Sequence, residues 1–238
     1  MLTPLLLPAQ DMKPFAAASV RDYADEQRDE TDPVILKRLD EWQDLKFGFM
    51  AHWGIYSQWA TVESWGLCSE PWIDRKDAPY DEYKRQYTAL NTTFNPKGFN
   101  PGKWAKAAAL AGMKYMVFTT KHHDGFCMYG TEETSYSSVH SSCPFFKNKN
   151  CDITKALTDA FRQYNMWIGY YFSKPDWHCP DYWAPEWATP DRNVNYSIAD
   201  KPDRWRRYCD FTYNQGYESC LKCQSACCNL PFVILSFL

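Results

Sequence analysis

The sequence predicts an α/β fold with parallel strands, laid out as the opening part of a (β/α)8 TIM-like barrel with only about the first three βα units present. Three observations predict it. From residue 46 onward, apolar strand-like runs alternate with amphipathic helical patterns, an order that calls for parallel strands joined by crossover helices. The connections are lopsided. Helix-to-strand links are one or two residues, at Met113 and around Asn165, whereas strand-to-helix links run to roughly 25 to 50 residues. Finally, the strand ends carry histidine, aspartate and tryptophan, so the long loops at one end of the strands hold the function. A doubly wound sheet also fits the alternation, but no Gly-rich phosphate turn follows any strand.

Each element has a local cause. Between Pro33 and Leu45, the residues Ile35, Leu36, Leu39 and Trp42 share one helical face. Lys46 to His52 is a short apolar run that reads as a buried strand, and a helix candidate lies around Asp81 to Leu90. The next helix is punctuated by Asn100 as N-cap, Pro101 at the first helical position and Gly112 as C-terminal cap. Trp104, Ala107, Ala108 and Ala111 form its expected buried face. Lys114 to Thr120 is a second strand. Asp152 caps a helix with Ile153, Ala156, Leu157, Ala160, Phe161 and Tyr164 at core spacing, and Met166 to Phe172 is the third strand. A helix from Asp200 to Asn214 follows, with Trp205, Tyr208 and Cys209 on one face.

Composition narrows the function. Of 238 residues 45% are hydrophobic, a globular value. The net charge is −3, from 26 Lys+Arg and 29 Asp+Glu, which disfavours nucleic acid as a partner because that needs a basic face. No apolar run approaches the roughly 20 residues that span a bilayer, so no membrane partner is expected. Aromatic content is high at 17%, with 11 Trp and 16 Tyr. Most of these pack in a core, and no more than about a third belong to a site.

Of the ten cysteines, Cys68, Cys127, Cys143, Cys151, Cys179 and Cys209 are dispersed, and Cys220, Cys223, Cys227 and Cys228 crowd near the end. The crowded four leave little loop between pairs and no histidine follows, so they do not read as a zinc knuckle. The apolar patch Leu2 to Ala9 lacks a basic start and is interrupted by Pro4 and Pro8, which makes it an incomplete secretory signal at best. A periplasmic or secreted location is the expectation.

Strand one ends at His52, followed by Trp53 and Gly54; strand two in Lys121, His122, His123, Asp124 and Gly125; strand three in Ser173, Lys174, Pro175, Asp176 and Trp177. Four of the five histidines, His52, His122, His123 and His178, lie at or just after strand ends. A single histidine there is more often structural; three strand ends converging on His, Asp and Trp bring a site level with that reading. Adjacent histidines point in different directions along an extended chain, and no His-x-His or helical His-x-x-x-His is present, so no metal is expected. Neutral polyol recognition fits better: imidazole is donor and acceptor at once, as a hydroxyl is, and aromatic faces suit a sugar ring.

Three segments carry a resemblance. Lys46-Phe-Gly-Phe-Met-Ala-His-Trp-Gly-Ile-Tyr-Ser57 is similar to the first barrel strand of the α-L-fucosidases of glycoside hydrolase family 29, and Tyr115-Met-Val-Phe-Thr-Thr-Lys-His-His-Asp-Gly-Phe126 to the second. Ile168-Gly-Tyr-Tyr-Phe-Ser173 with Asp176-Trp177 resembles the third strand and its loop. The resemblance covers residues 35–215. It implies a retaining hydrolase that removes terminal α-L-fucose from glycoconjugates, without a cofactor, its partner being a fucosylated glycan. It also implies a sugar pocket of His52, Glu70, His122, His123 and Tyr171, with Tyr170 as the alternative tyrosine. Glu70 is assigned because it precedes an aromatic, Trp72, although Pro71 intervenes.

The chain reads as three segments: a loosely ordered lead-in at 1–34, the N-terminal part of a glycosidase catalytic barrel at 35–215, and a Cys-rich tail at 216–238 that does not resemble the family. The family's nucleophile, an Asp at the end of strand four, has no counterpart in that tail, whose only acid is Glu218, and the acid/base Glu is not found. No catalytic residue is therefore assigned. A shifted frame or a mis-joined gene accounts for the tail most simply. The chain is expected to be an inactive fragment of an α-L-fucosidase, with a non-catalytic fucose- or glycan-binding protein as the competing reading. Its third strand would keep an open edge, for which the β-prone run Phe232 to Leu235 is a candidate cover.

Overall fold

The computed structural model describes residues 31–68, 75, 78–189, 191–222 and 232–236. Glu70 and Trp72 lie outside the described residues, as do the first thirty residues with the Leu2–Ala9 patch. The chain divides into two compact units, Met1–Lys46 and Phe47–Leu238. The described part of the first is α1 (Pro33–Asp44), which starts where Asp32 accepts a hydrogen bond from the Val34 amide and Pro33 fills the first position. None of its residues is buried.

The second unit runs β1 (Gly48–Ala51), α2 (Tyr80–Thr88), α3 (Pro101–Leu110), β2 (Tyr115–Lys121), α4 (Ile153–Arg162), β3 (Trp167–Ser173), α5 (Pro202–Lys222) and β4 (Phe232–Ser236). The four strands form one sheet in the order β1-β2-β3-β4, and each neighbouring pair is parallel. The fold is therefore mixed α/β around a small parallel sheet. Chain segments 122–152 and 174–201 lead from strand to helix, while 111–114 and 163–166 suffice for the return. The long loops thus gather at the C-terminal ends of the strands.

The helix starts are built as the sequence dictates. Asn100 accepts from the Lys103 amide at 3.0 Å and Asp152 from the Lys155 amide at 2.9 Å. Gly112, at φ 80°, turns the chain out of α3 in a conformation that costs a glycine nothing. Met116 and Phe118 of β2 and Ile168 and Tyr170 of β3 join Ala105 and Ala108 of α3 and Leu157 and Phe161 of α4 in one core.

Several expectations are corrected. On α3 the buried residues are Ala105 and Ala108, whereas Ala107 and Ala111 are exposed. With Trp104, Ala107 borders an open groove of about 700 Å³ along β1, whose outer edge pairs with no strand among the described residues. Tyr164 is exposed because α4 ends at Arg162. Cys209 is exposed too, the buried stripe of α5 being Tyr208, Gln215 and Ser219. That helix passes Asn214 and Gly216 without a break, since Gln215 and Ser219 are anchored inward. One expectation is met: β4 lies on the outer edge of β3, so Phe232 to Leu235 occupies the edge that three strands alone would leave open.

One irregularity sets the site. β2 and β3 pair residue for residue from Tyr115↔Trp167 to Thr119↔Tyr171, and then the register shifts so that Lys121 faces Phe172. A bulge of this kind adds one residue and reverses which face the following side chains take. Lys121 is thereby sent to the helix side, its ammonium 4.4 Å from the Phe172 ring centre and 5.8 Å from that of Phe211 on α5. The next residue, His122, is returned to the face of Tyr171, with its ring stacked 6.0 Å from that tyrosine.

Candidate functional site

At the C-terminal ends of β1, β2 and β3 the structure brings together His52, His122, His123 and Tyr171. The His52 ring centre lies 4.6 Å from that of Tyr171 and 5.6 Å from that of His122. His122 and His123 are in edge contact at 4.6 Å. Tyr170 is excluded geometrically: it is fully buried on the helix side, sharing a 2.7 Å hydrogen bond with the Thr158 hydroxyl. His178 does not join the site either, but stacks on Tyr136 at 4.1 Å.

The carboxylate of the cluster is one the sequence reading missed, Glu63. Its Oε1 is 2.7 Å from His52 Nδ1 and its Oε2 is 3.0 Å from His122 Nε2, and Oε2 also accepts from Trp65 Nε1 at 3.0 Å. Glu63 occupies the left-handed backbone region at φ 48°, a conformation that costs a non-glycine residue roughly 1–2 kcal/mol and persists where the surroundings over-determine it. Here three side chains hold its carboxylate. Burial disfavours the charge on Glu63, but the hydrogen bonds from His122 and His52 outweigh burial and hold its pKa below the usual carboxylate range. A signal existed: Glu63-Ser64-Trp65 repeats the Glu-x-Trp spacing of Glu70-Pro71-Trp72.

His122 is 2% exposed and placed by two partners. Its Nε2 faces Glu63 Oε2 at 3.0 Å, and its Nδ1 shares a hydrogen bond with the Ser64 hydroxyl. His123 is 1% exposed and neither ring nitrogen makes a well-formed hydrogen bond. Burial, reinforced by neighbouring His122, pushes its pKa down to about 2, against a smaller opposing effect of the Pro175 backbone. It is therefore a neutral ring with a free donor and a free acceptor. Trp65 walls this corner, in edge contact with His123 at 5.2 Å and His122 at 6.2 Å. Trp177 is not a free sugar platform, since His123 stacks on it at 4.7 Å and Trp183 at 4.9 Å.

The other strand-end acids are structural in this geometry. Asp176, 2% exposed, pairs with fully buried Lys121 at 3.1 Å, and Lys121 also donates to Gln215 Oε1 at 3.0 Å. The second Asp176 oxygen accepts from the amides of His178 and Cys179 at 3.0 and 2.9 Å. Gly125, at φ 77°, lies against this carboxylate, and a Cβ there would collide with it. Asp124 is buried and accepts from the Tyr87 hydroxyl at 2.7 Å; burial raises its pKa. Among the described residues, one donor atom each from His52, Glu63 and His122 lies within 4.8 Å of the others.

Comparison with known proteins matches the chain to one family. The family model described as alpha-L-fucosidase matches residues 15–226, beyond the 35–215 over which the motifs resemble it. A putative alpha-L-fucosidase of Caenorhabditis elegans is 32% identical over 150 residues, 60% of this chain and 30% of that protein. The human plasma alpha-L-fucosidase is 30% identical over 153 residues, 60% of this chain and 31% of that one. Among solved structures, alpha-L-fucosidase isoenzyme 1 from Paenibacillus thiaminolyticus superposes with a TM-score of 0.60 at 31% identity, covering 81% of this chain and 41% of that one. The alpha-L-fucosidase AlfC from Lactobacillus casei, solved in complex with α-L-fucose product, gives 0.55 at 31% identity, covering 76% and 56%. The chain thus spans about a third of the length of the C. elegans and human relatives. With 15–226 matched, the chain belongs to the α-L-fucosidase family.

Proposed function

We propose that the chain forms the sugar-recognition part of a retaining α-L-fucoside hydrolase and binds a terminal α-L-fucose at the ends of β1–β3. The observation that carries the reading is the convergence of His52, Glu63, His122 and Tyr171 from three adjacent strands and one loop. A deoxy sugar presents hydroxyls on one side and apolar C–H and methyl groups on another. Neutral His123 can give and take a hydrogen bond, His122 and ionised Glu63 present a polar wall to the hydroxyls, and Tyr171 and Trp65 offer rings to the apolar side. Contacts of this kind accelerate hydrolysis when they tighten as charge develops at the anomeric carbon. The parallel order, the loop asymmetry and the likeness to solved α-L-fucosidases support a (β/α)8 barrel as the parent architecture.

Retaining hydrolysis needs two carboxyl groups about 5–5.5 Å apart, one of them free to attack carbon. Among the described residues Asp124 and Asp176 are tied to Tyr87 and Lys121, and Glu63 is held by His52, His122 and Trp65. The 238-residue chain is therefore proposed to bind fucose without turning it over. Calorimetric titration of L-fucose beside an aryl α-L-fucoside assay tests both halves. Saturable binding with no turnover above background is expected. Turnover at a rate ordinary for enzymes would overturn the non-catalytic half, and absence of binding in a folded chain would overturn the sugar site.

A further inference from the structure

Outside the sugar site, a cavity of about 150 Å³ opens where α2 meets the loops after β2 and β3, and none of His52, Glu63, His122 and His123 lines it. A single buried water needs roughly 10–15 Å³, and a space of about this size takes a molecule as large as benzene. The walls are mostly apolar, with Leu67, Trp177 and Trp183 among them. Both indole N–H groups are already committed, Trp177 to the Arg192 carbonyl at 3.1 Å and Trp183 to the Asn193 carbonyl at 2.8 Å. Asp124 borders the cavity too, but its oxygens accept from the Tyr87 hydroxyl at 2.7 Å and the Phe126 amide at 3.1 Å. Lys84 is different. It is half-buried, its ammonium lies 5.3 Å from the Trp183 ring centre, and among the described residues it makes no hydrogen bond or ion pair. We propose that this cavity binds a singly charged oxyanion, a carboxylate or a sulfate ester, with Lys84 as its counter-charge.

The unmet demand of the ammonium selects the ligand. The Trp183 face attracts the charge but offers no oxygen to its N–H groups. Burial pushes the Lys84 pKa below its ordinary value, and Asp81 on the preceding turn offsets this only in part. An oxyanion supplies both the missing charge and the missing acceptors, in a place partly screened from water. The Thr88 hydroxyl and the exposed His178 ring also line the cavity and make no hydrogen bond among the described residues, so they can donate to the remaining oxygens. His178 is held in place by stacking on Tyr136 at 4.1 Å. One cation and a neighbouring Asp124 favour a ligand with one negative charge over one with two. A cationic ligand fits poorly, because it meets Lys84 and finds the Asp124 oxygens already bonded. Trp177 is shared with His123, which stacks on it at 4.7 Å, so the cavity adjoins the sugar site. On the reading of that site as a fucose pocket, an acidic sugar of the same glycan is the carrier of the anion; oxyanion binding itself does not depend on that reading.

The test titrates the full chain with glucuronate, glucose 6-sulfate, glucose and acetate by ligand-observed NMR, with circular dichroism to confirm folding. Both acidic sugars should bind saturably and glucose should not. Lys84→Met keeps a stem over Trp183 and removes the charge, and it should weaken binding about tenfold or more, the worth of a hydrogen bond to a charged group. Lys84→Arg keeps the charge and should stay within about threefold of the wild type. His178→Glu puts a negative charge at an exposed position on the rim and should also weaken binding; it decides the matter should Lys84→Met fail to fold. Excess L-fucose should leave glucuronate bound. Acetate binding as tightly as glucuronate would support the oxyanion site and assign it to free acids instead of sugars. Glucuronate binding without any binding of fucose would support this cavity and count against the fucose pocket alone. Equal binding of glucose and glucuronate, unchanged affinity in folded Lys84→Met, displacement of glucuronate by L-fucose, or no saturable binding to the folded chain would each overturn the proposal.

Discussion

Lys121 and His122 are consecutive residues, yet they belong to two different kinds of polar cluster. Lys121 enters a sealed one: fully buried, it meets Asp176 and Gln215, which are 2% and 0% exposed, and lies over Phe172. His122 enters an open one, where the side chain of Glu63 is 27% exposed and that of His52 is 23% exposed. The sealed cluster spends its hydrogen-bonding capacity internally, down to the two amides on Asp176. The open cluster keeps capacity in reserve on His123, whose two ring nitrogens have no hydrogen-bond partner among the described residues. Polarity at a strand end therefore does not identify a binding group. What separates scaffold from site is whether the donors and acceptors are already satisfied, because a satisfied group has nothing left to offer a ligand.

Breaking the sealed cluster should produce the largest effect. Asp176→Ala leaves the Lys121 ammonium buried with Gln215 as its neutral partner, and removing one member of a buried pair costs about 3–5 kcal/mol. Lys121→Met should cost less, because Asp176 keeps the His178 and Cys179 amides. Urea unfolding measures both. A loss below about 1 kcal/mol in Asp176→Ala would show that the pair is not a scaffold element.

The same contrast explains what the sequence could reveal. Helix starts at Asn100 and Asp152 are local, being a side chain reaching an amide three residues on, and they are readable from residue type. The alternation that orders the strands is equally local. The bulge after Thr119 is not, since no glycine marks it and its effect is felt only in the pairing with β3. Glu63 escaped for a related reason: its left-handed backbone is held by His52, His122 and Trp65, two of which are distant in sequence or on other elements. The continuation of α5 through Gly216 runs against local propensity and is held by tertiary contacts of Gln215 with Lys121 and Tyr129.

Acid sharpens the comparison next. The pKa of His123 is lowered in the folded chain, so below about 6.5 the unfolded state takes up a proton that the folded state refuses. Stability supplied by this group is present above that pH and drains away as pH falls toward the folded value of about 2. The slope is about 1.4 kcal/mol per pH unit, or about 2 kcal/mol between pH 6.5 and 5. In folded His123→Asn that component should vanish, as seen by urea unfolding across the pH range. An unchanged slope would place the proton uptake elsewhere.

Glu63→Gln tests the open cluster at a smaller cost to the fold. The amide keeps the shape and can still accept from Trp65, but it loses the charge that both histidines face. Fucose affinity should fall at least tenfold, about 1.4 kcal/mol, with a smaller change in unfolding free energy. The depressed pKa of the wild-type carboxylate means that binding should not weaken through Glu63 as pH drops from 7 to 5. Equal losses of binding and stability would move Glu63 from the site to the scaffold.

The smallest effect distinguishes two adjacent tyrosines that face opposite ways. Tyr170 has its hydroxyl in a 2.7 Å bond to Thr158 inside the core, so Tyr170→Phe strands a buried partner and should cost about 1 kcal/mol of stability. Thr158 softens that loss, because its own hydroxyl also donates to the Thr154 carbonyl at 2.8 Å. Among the described residues the Tyr171 hydroxyl accepts a single long 3.3 Å contact, from Ser173, in a half-buried position beside His52. Removing it leaves no strongly bonded partner behind, so Tyr171→Phe should unfold at nearly the wild-type urea concentration. Its effect belongs in the fucose titration, as a few-fold loss if the hydroxyl meets the sugar and none if only the ring does. The pair reads out the rule set by Lys121 and His122 at single-atom scale. A stability loss in Tyr171→Phe as large as that in Tyr170→Phe would mean that the open face of the sheet is as fully committed to folding as the closed one.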